Sequence, residues 1–119
     1  MIQLDNDPAA QEIPVACTLS DRDLAQRRDE ITRTLLGGRQ ETRELPDGYA
    51  VRFPGDEAWA SRLLAFIAGE RACCPFFTFA LVFEPRQGPL WLHLCGPAGT
   101  KELVADLLAL AEERPPTAQ

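Results

Sequence analysis

In "IPVACTL", residues 13 to 19, the odd positions Ile13, Val15, Cys17 and Leu19 are the more apolar set, the period of two that marks a short strand. Ser20 follows, and Asp23 three residues on resembles a capping box with aspartate in place of the usual glutamate or glutamine. The predicted helix, over about 21 to 36, carries Leu24, Ile31 and Leu35 on one face and ends at Gly37 and Gly38. In "QETRELPDGYAVRFPG" two strands meet around "PDG", a turn signal, and Tyr49, Val51 and Phe53 alternate with Ala50 and Arg52. Asp56 then offers a cap for a second helix, where Trp59, Leu63, Phe66 and Ile67 recur at helical spacing. Pro75 stops that helix, because the residue before a proline is pushed out of the helical region.

A second hairpin is predicted in "FFTFALVFEPRQGPLWLHLCG", turning at "EPRQGP". Phe77, Phe79, Leu81 and Phe83 alternate there as core positions, while Phe76 and Thr78 fall on the other face, where an exposed Phe76 suits a dimer contact. Thr100 is expected to cap a last helix with Leu103, Val104, Leu107, Leu108 and Ala111 as its apolar set. The order is β-α-ββ-α-ββ-α, with a hairpin followed by a helix occurring twice. This predicts an α+β fold, an antiparallel sheet with helices packed on one face. A single domain over 12–113 is expected, between flexible tails at 1–11 and 114–119.

Composition narrows the function classes. The chain has 119 residues, 45% hydrophobic and 25% charged, the balance of one globular domain. No apolar run approaches the roughly 18 residues of a membrane helix. The start, "MIQLDNDPAAQEIP", has neither the basic end nor the apolar stretch of a secretion signal, so a cytoplasmic protein is expected. Net charge is -6 and the pI about 4.7, a surface that repels a phosphate backbone. The densest basic run lies in "SDRDLAQRRDE", where acids are interspersed, and reads as a solvated helix face. Neither nucleic acid nor membrane is an expected partner.

The candidate chemistry lies in four cysteines, at 17, 73, 74 and 95, with a single histidine, His93. No Cys-x-x-Cys or zinc-finger spacing occurs, and one histidine excludes a histidine-rich metal centre. The apolar stripe of the second helix runs on through Glu70 to Cys73 and Cys74, pointing them inward. A glutamate on that stripe is anomalous: a buried carboxylate needs an arginine, a backbone donor, a thiol or a metal ion. Cys17 is expected to face the same core. Thiolates without a cluster of hard ligands favour Zn(II), Cu(I) or Hg(II). In that reading Cys17, Cys73 and Cys74 are ligands, with Glu70 a fourth or a support for the others. Adjacent helical residues diverge by about 100°, so release of Cys74 from the helix by Pro75 would help the two sulfurs meet.

Free cysteines also bury as small hydrophobes, so a small dimeric interaction or ligand-binding module with packed thiols stays open. Nucleophilic catalysis is disfavoured, because a helix C-terminus and Glu70 both oppose a thiolate. "GPAGT" reads as a helix cap rather than an anion site, and His93 as a packed or exposed strand residue. Which face of "LWLHLC" points inward is ambiguous.

Taken together, "IPVACTLS", "LPDGYAVRFP", "ERACCPFFTFAL" and "GPAGTKELV" resemble a small, poorly characterised bacterial family with a Glu-x-x-Cys-Cys-Pro-Phe motif. Some of its members are associated with mercury- or other metal-responsive regulators. The likeness spans 13 to about 110. By position it implies Cys17, Glu70, Cys73 and Cys74 as the motif residues, and His93 and Cys95 fall outside it.

Overall fold

The computed structural model describes residues 15, 16 and 19–113. Helix α1 spans Asp21–Thr34, and Ser20 Oγ accepts from the Asp23 amide at 3.2 Å, the capping contact its sequence predicts. The chain then tightens into a 3-10 turn at Leu36–Gly38, so regular helix ends two residues before the predicted stop. Strands β1 (Glu41–Leu45) and β2 (Gly48–Phe53) form the first hairpin. Helix α2 runs over Glu57–Cys73, capped by Asp56 Oδ1 at 2.8 Å from the Trp59 amide. Strands β3 (Thr78–Phe83) and β4 (Leu90–Cys95) form the second hairpin, and helix α3 covers Thr100–Glu113.

The four strands make one antiparallel sheet in the order β1-β2-β4-β3. The second strand of each hairpin takes the centre, and β2 pairs with β4 from Gly48 opposite Cys95 to Phe53 opposite Leu90. This is the predicted α+β architecture. The two hairpins lie on either side of the β2–β4 seam. The strand expected over 13–19 lies largely outside the described residues, and Val15, Ala16 and Leu19 are not in a strand.

Tyr49, Val51, Phe53, Leu90, Leu92 and Leu94 face the helices, so the inward face of β4 is the leucine face. Against it pack Ile31 and Leu35 of α1, Leu63 of α2, and Val104, Leu107, Leu108 and Ala111 of α3. Phe53 stacks on Trp59 with ring centroids 5.0 Å apart, which joins the sheet to the start of α2. At the other end of the same helix Phe66 meets Phe79 edge-on at 6.1 Å. No helix covers the opposite sheet face among the described residues. There the guanidinium of Arg43 lies 4.4 Å from the centroid of the Trp91 ring and shields it.

Two aromatic expectations are reversed. Phe83 is 57% exposed, because it ends an edge strand that has a neighbour on only one side. Phe76 is 4% exposed and belongs to the interior, not to a dimer contact. It precedes β3, so strand alternation does not govern where its ring points. Phe76 and Phe77 stack instead at 4.6 Å.

Thr100 is not the expected cap. It is the first residue of α3, wholly buried, and its Oγ1 has no hydrogen-bond partner among the described residues. The turn before it is made by Gly99, whose φ of 102° lies in the region that favours glycine and whose carbonyl accepts from the Leu103 amide at 3.2 Å. Gly96 is needed for close approach: a Cβ there would stand 2.5 Å from Thr100 Oγ1 and 3.0 Å from the Phe76 carbonyl oxygen. Thr100 is therefore wedged between the end of β4 and the segment that follows the paired cysteines. Among the described residues no helix is long and apolar enough to cross a membrane.

Candidate metal centre

The end of α2 brings three of the four expected site residues together. Glu70, Cys73 and Cys74 are all buried, and one ligand atom from each lies within 4.8 Å of the others. Spacing explains the first two, since residues three apart on a helix share a face. Cys74 is placed by Pro75. Its φ of -127° and ψ of 80° leave the helical region, yet its amide still donates to the Glu70 carbonyl at 2.7 Å. The last turn stays closed while the Cys74 side chain escapes the helical divergence. Its thiol donates to Cys73 Sγ at 3.7 Å.

Neither thiol is in a disulfide. Adjacent residues hold their Cα atoms about 3.8 Å apart across a trans peptide, whereas ordinary disulfides span about 4.4–6.8 Å. A relaxed bridge between them is ruled out without backbone movement. In this structure the pair is a dithiol.

The anomalous glutamate has found the first of its possible partners. Arg27 Nε of α1 donates to Glu70 Oε2 at 2.8 Å, and Nη1 of the same guanidinium reaches Glu30 Oε1 at 2.8 Å. Burial by itself would lower the Arg27 pKa, but the hydrogen bonds and charges of Glu70 and Glu30 outweigh it and raise it. Arg27 was hidden in a basic run that reads as solvent-facing. A signal was nevertheless there: it sits three residues after Leu24 and four before Ile31, on the apolar stripe of α1. A cation on one apolar stripe and a carboxylate on another are each costly alone, and together they form an ion pair.

The constellation opens into a cavity of about 470 Å³ between α1, the end of α2 and α3. Leu24, Ile31, Phe76, Phe77, Leu103 and Leu107 contribute apolar wall, and Arg28, Glu102 and Asp106 also line it. Phe76 packs with Cys73 and Cys74 as a second small core, supported by Val15, Phe77 and Leu103. Cys17 lies outside the described residues. Val15 and Ala16, just before it in the chain, line the cavity.

Cys95 belongs elsewhere. It stands opposite Gly48 and Thr78 on the sheet face that carries no helix. Burial, then a hydrogen bond to Asp47 and the charge of that carboxylate, push its thiol up to about 11. His93 is half-buried on the same face, opposite Ala50 and Ala80, and forms no metal-type cluster among the described residues.

Two thiols and a carboxylate within bonding reach of one centre are a donor set for a soft or borderline ion. In comparisons with known proteins, no family model, no curated protein and no solved structure matches the chain.

Proposed function

We propose that this is a small cytoplasmic protein that binds a soft metal ion, Zn(II), Cu(I) or Hg(II), or captures thiol-reactive agents, through Cys73 and Cys74. One observation carries the reading: the buried Glu70–Cys73–Cys74 cluster, with its donor atoms within 4.8 Å of one another, stands at the wall of an open cavity. Glu70 is either a third donor or, held by Arg27, the carboxylate that sets the charge beside the sulfurs. The resemblance of Glu70-x-x-Cys73-Cys74-Pro75-Phe76 to the motif of a poorly characterised bacterial family, some of whose members are associated with metal-responsive regulators, points the same way.

The test is titration of the reduced protein with Zn(II), Cu(I) and Hg(II), followed by equilibrium dialysis or mass spectrometry. One ion per chain is expected, lost in the Cys73→Ser, Cys74→Ser variant and retained in Cys95→Ser. Equal binding by the parent and the double variant would sink the proposal.

A second reading is a homodimeric interaction module in which the cysteines only pack. It is favoured by Val82 and Phe83, 42% and 57% exposed on the edge strand β3, which carries no charged residue. Sedimentation equilibrium tests the dimer. In this reading the double serine variant loses about 1–3 kcal/mol of stability and no special metal affinity.

A further inference from the structure

Resting on the thiol-capture reading, the geometry points to a more specific ligand: a trivalent metalloid carrying one organic group, R–As(III) in class. Size comes first. A bare ion needs no more room than a water, about 10–15 Å³ of cavity on the same kind of measure, whereas this cavity measures about 470 Å³. That lies in the range of pockets for small organic molecules, about 300–1,000 Å³. Apolar side chains make most of the lining, with Phe76, Phe77 and Leu103 packed against the cysteine pair, and Arg28, Glu102 and Asp106 are its charged members besides Arg27 and Glu70. Such a wall suits an apolar substituent.

Valence comes second. Cys73 and Cys74 present two sulfurs 3.7 Å apart and resist closing on each other, so they are arranged to bridge one centre. Two bonds to sulfur and one to carbon complete a trivalent pyramidal atom. A centre that makes only two bonds would use one for its organic group and leave a thiol idle. Glu70 need not bind at all and keeps its ion pair with Arg27.

Charge comes third. With an arsenoso compound, R–As=O, both S–H bonds break and two As–S bonds form. The two protons leave with the oxygen as water, and arsenic stays trivalent throughout. The product is neutral, so no net charge is added to an apolar wall.

The experiment uses the full reduced chain with three probes: phenylarsine oxide, methylarsonous acid and arsenite. Intact-mass spectrometry and protection of thiols from alkylation provide the readouts. One phenylarsenic adduct per chain is expected, masking two thiols and sparing Cys95. The phenyl probe is expected to bind about tenfold more tightly than the methyl one, from the extra apolar area it buries. Leu103→Trp, which fills the cavity beside the sulfurs, should erase that preference by weakening phenyl binding far more than methyl binding. Ile31→Phe fills it from the opposite wall and serves if the first variant fails to unfold cooperatively. Equal phenyl and methyl affinity in the parent, or equal loss of both on filling, overturns the inference. So does arsenite binding as tight as phenyl binding, which would mean a third thiolate in place of the organic group. In each of those outcomes Zn(II), Cu(I) or Hg(II) binding still upholds the broader proposal. If neither metal ions nor arsenicals bind, both fall.

Discussion

Among the described residues two places hold cysteine beside a carboxylate, and their surroundings differ. At the end of α2, Cys73 and Cys74 lie beside Glu70, whose charge is already committed to Arg27, and they border a cavity. At the end of β4, Cys95 lies beside Asp47, whose hydrogen bond and negative charge, after burial itself, hold the thiol protonated. In the first place an arginine absorbs the carboxylate's field and two sulfurs share one approach. In the second a single thiol is tied down. For Cys95 it is burial first, and the neighbouring carboxylate second, that set the thiol's behaviour, not residue type alone.

The largest expected effect that would break this contrast is loss of the wall behind the dithiol. Phe76→Ala removes a ring that is 4% exposed, stacked on Phe77 and packed against both cysteines. A loss of about 3 kcal/mol is expected in urea unfolding, together with weakened retention of any bound ion. A loss below about 1 kcal/mol would mean that the small core around the cysteines contributes little.

Next comes the ion pair. Arg27→Leu strands the Glu70 carboxylate on a buried helix face. A fully buried pair broken this way costs about 3–5 kcal/mol, and part exposure of the guanidinium reduces this to about 2 kcal/mol. Replacing both, Arg27→Met with Glu70→Met, should recover most of the loss. A double variant no more stable than the single one would show that the pair is not what matters.

Thr100 joins the two regions, and Thr100→Val sharpens the comparison by a smaller amount. It deletes a hydroxyl that is buried without a partner and keeps the volume. A gain of up to about 1 kcal/mol is expected by thermal or chemical unfolding. A clear loss would reveal a partner for the hydroxyl.

The smallest effect is at Cys95. A thiol pushed up to about 11 binds its proton more tightly in the folded chain than at the ordinary value of 9.0. The stability this contributes is full below about pH 9 and is lost as pH rises toward about 11. Alkylation of Cys95 should accordingly be slow at neutral pH and rise steeply only in that alkaline window, followed in the Cys73→Ser, Cys74→Ser variant. Asp47→Asn should shift the rise to lower pH; an unmoved profile would leave burial as the whole cause.

Much of the fold was legible in local pattern. Ser20 and Asp56 cap the helices they precede, "PDG" and "EPRQGP" turn the two hairpins, and Pro75 ends α2 at the cysteines. These are effects of neighbours in the chain, and neighbours are what a sequence displays. The glutamate on the stripe of α2 was legible as a question for the same reason. Its answer was not, because Arg27 lies 43 residues away and only the packing of α1 on α2 brings them together.

Phe76, Phe83 and Thr100 teach the same lesson from the other side. Alternation predicts which face a side chain takes along a strand, but not whether another layer covers that face. Phe83 lost its cover at the sheet edge, and Phe76, outside the strand, turned inward onto the cysteines. Thr100 had the chemistry of a cap and became a buried wedge, because Gly96 lets the chain pass against it. By itself, then, the sequence determined most of the elements, the caps of the first two helices and the adjacency of two cysteines at a helix end, all set by bonds and contacts within a few residues. Tertiary structure alone decided that this dithiol borders an apolar cavity beside a neutralised carboxylate while Cys95 is tied to Asp47. Burial and charge at a point are sums over everything packed around it.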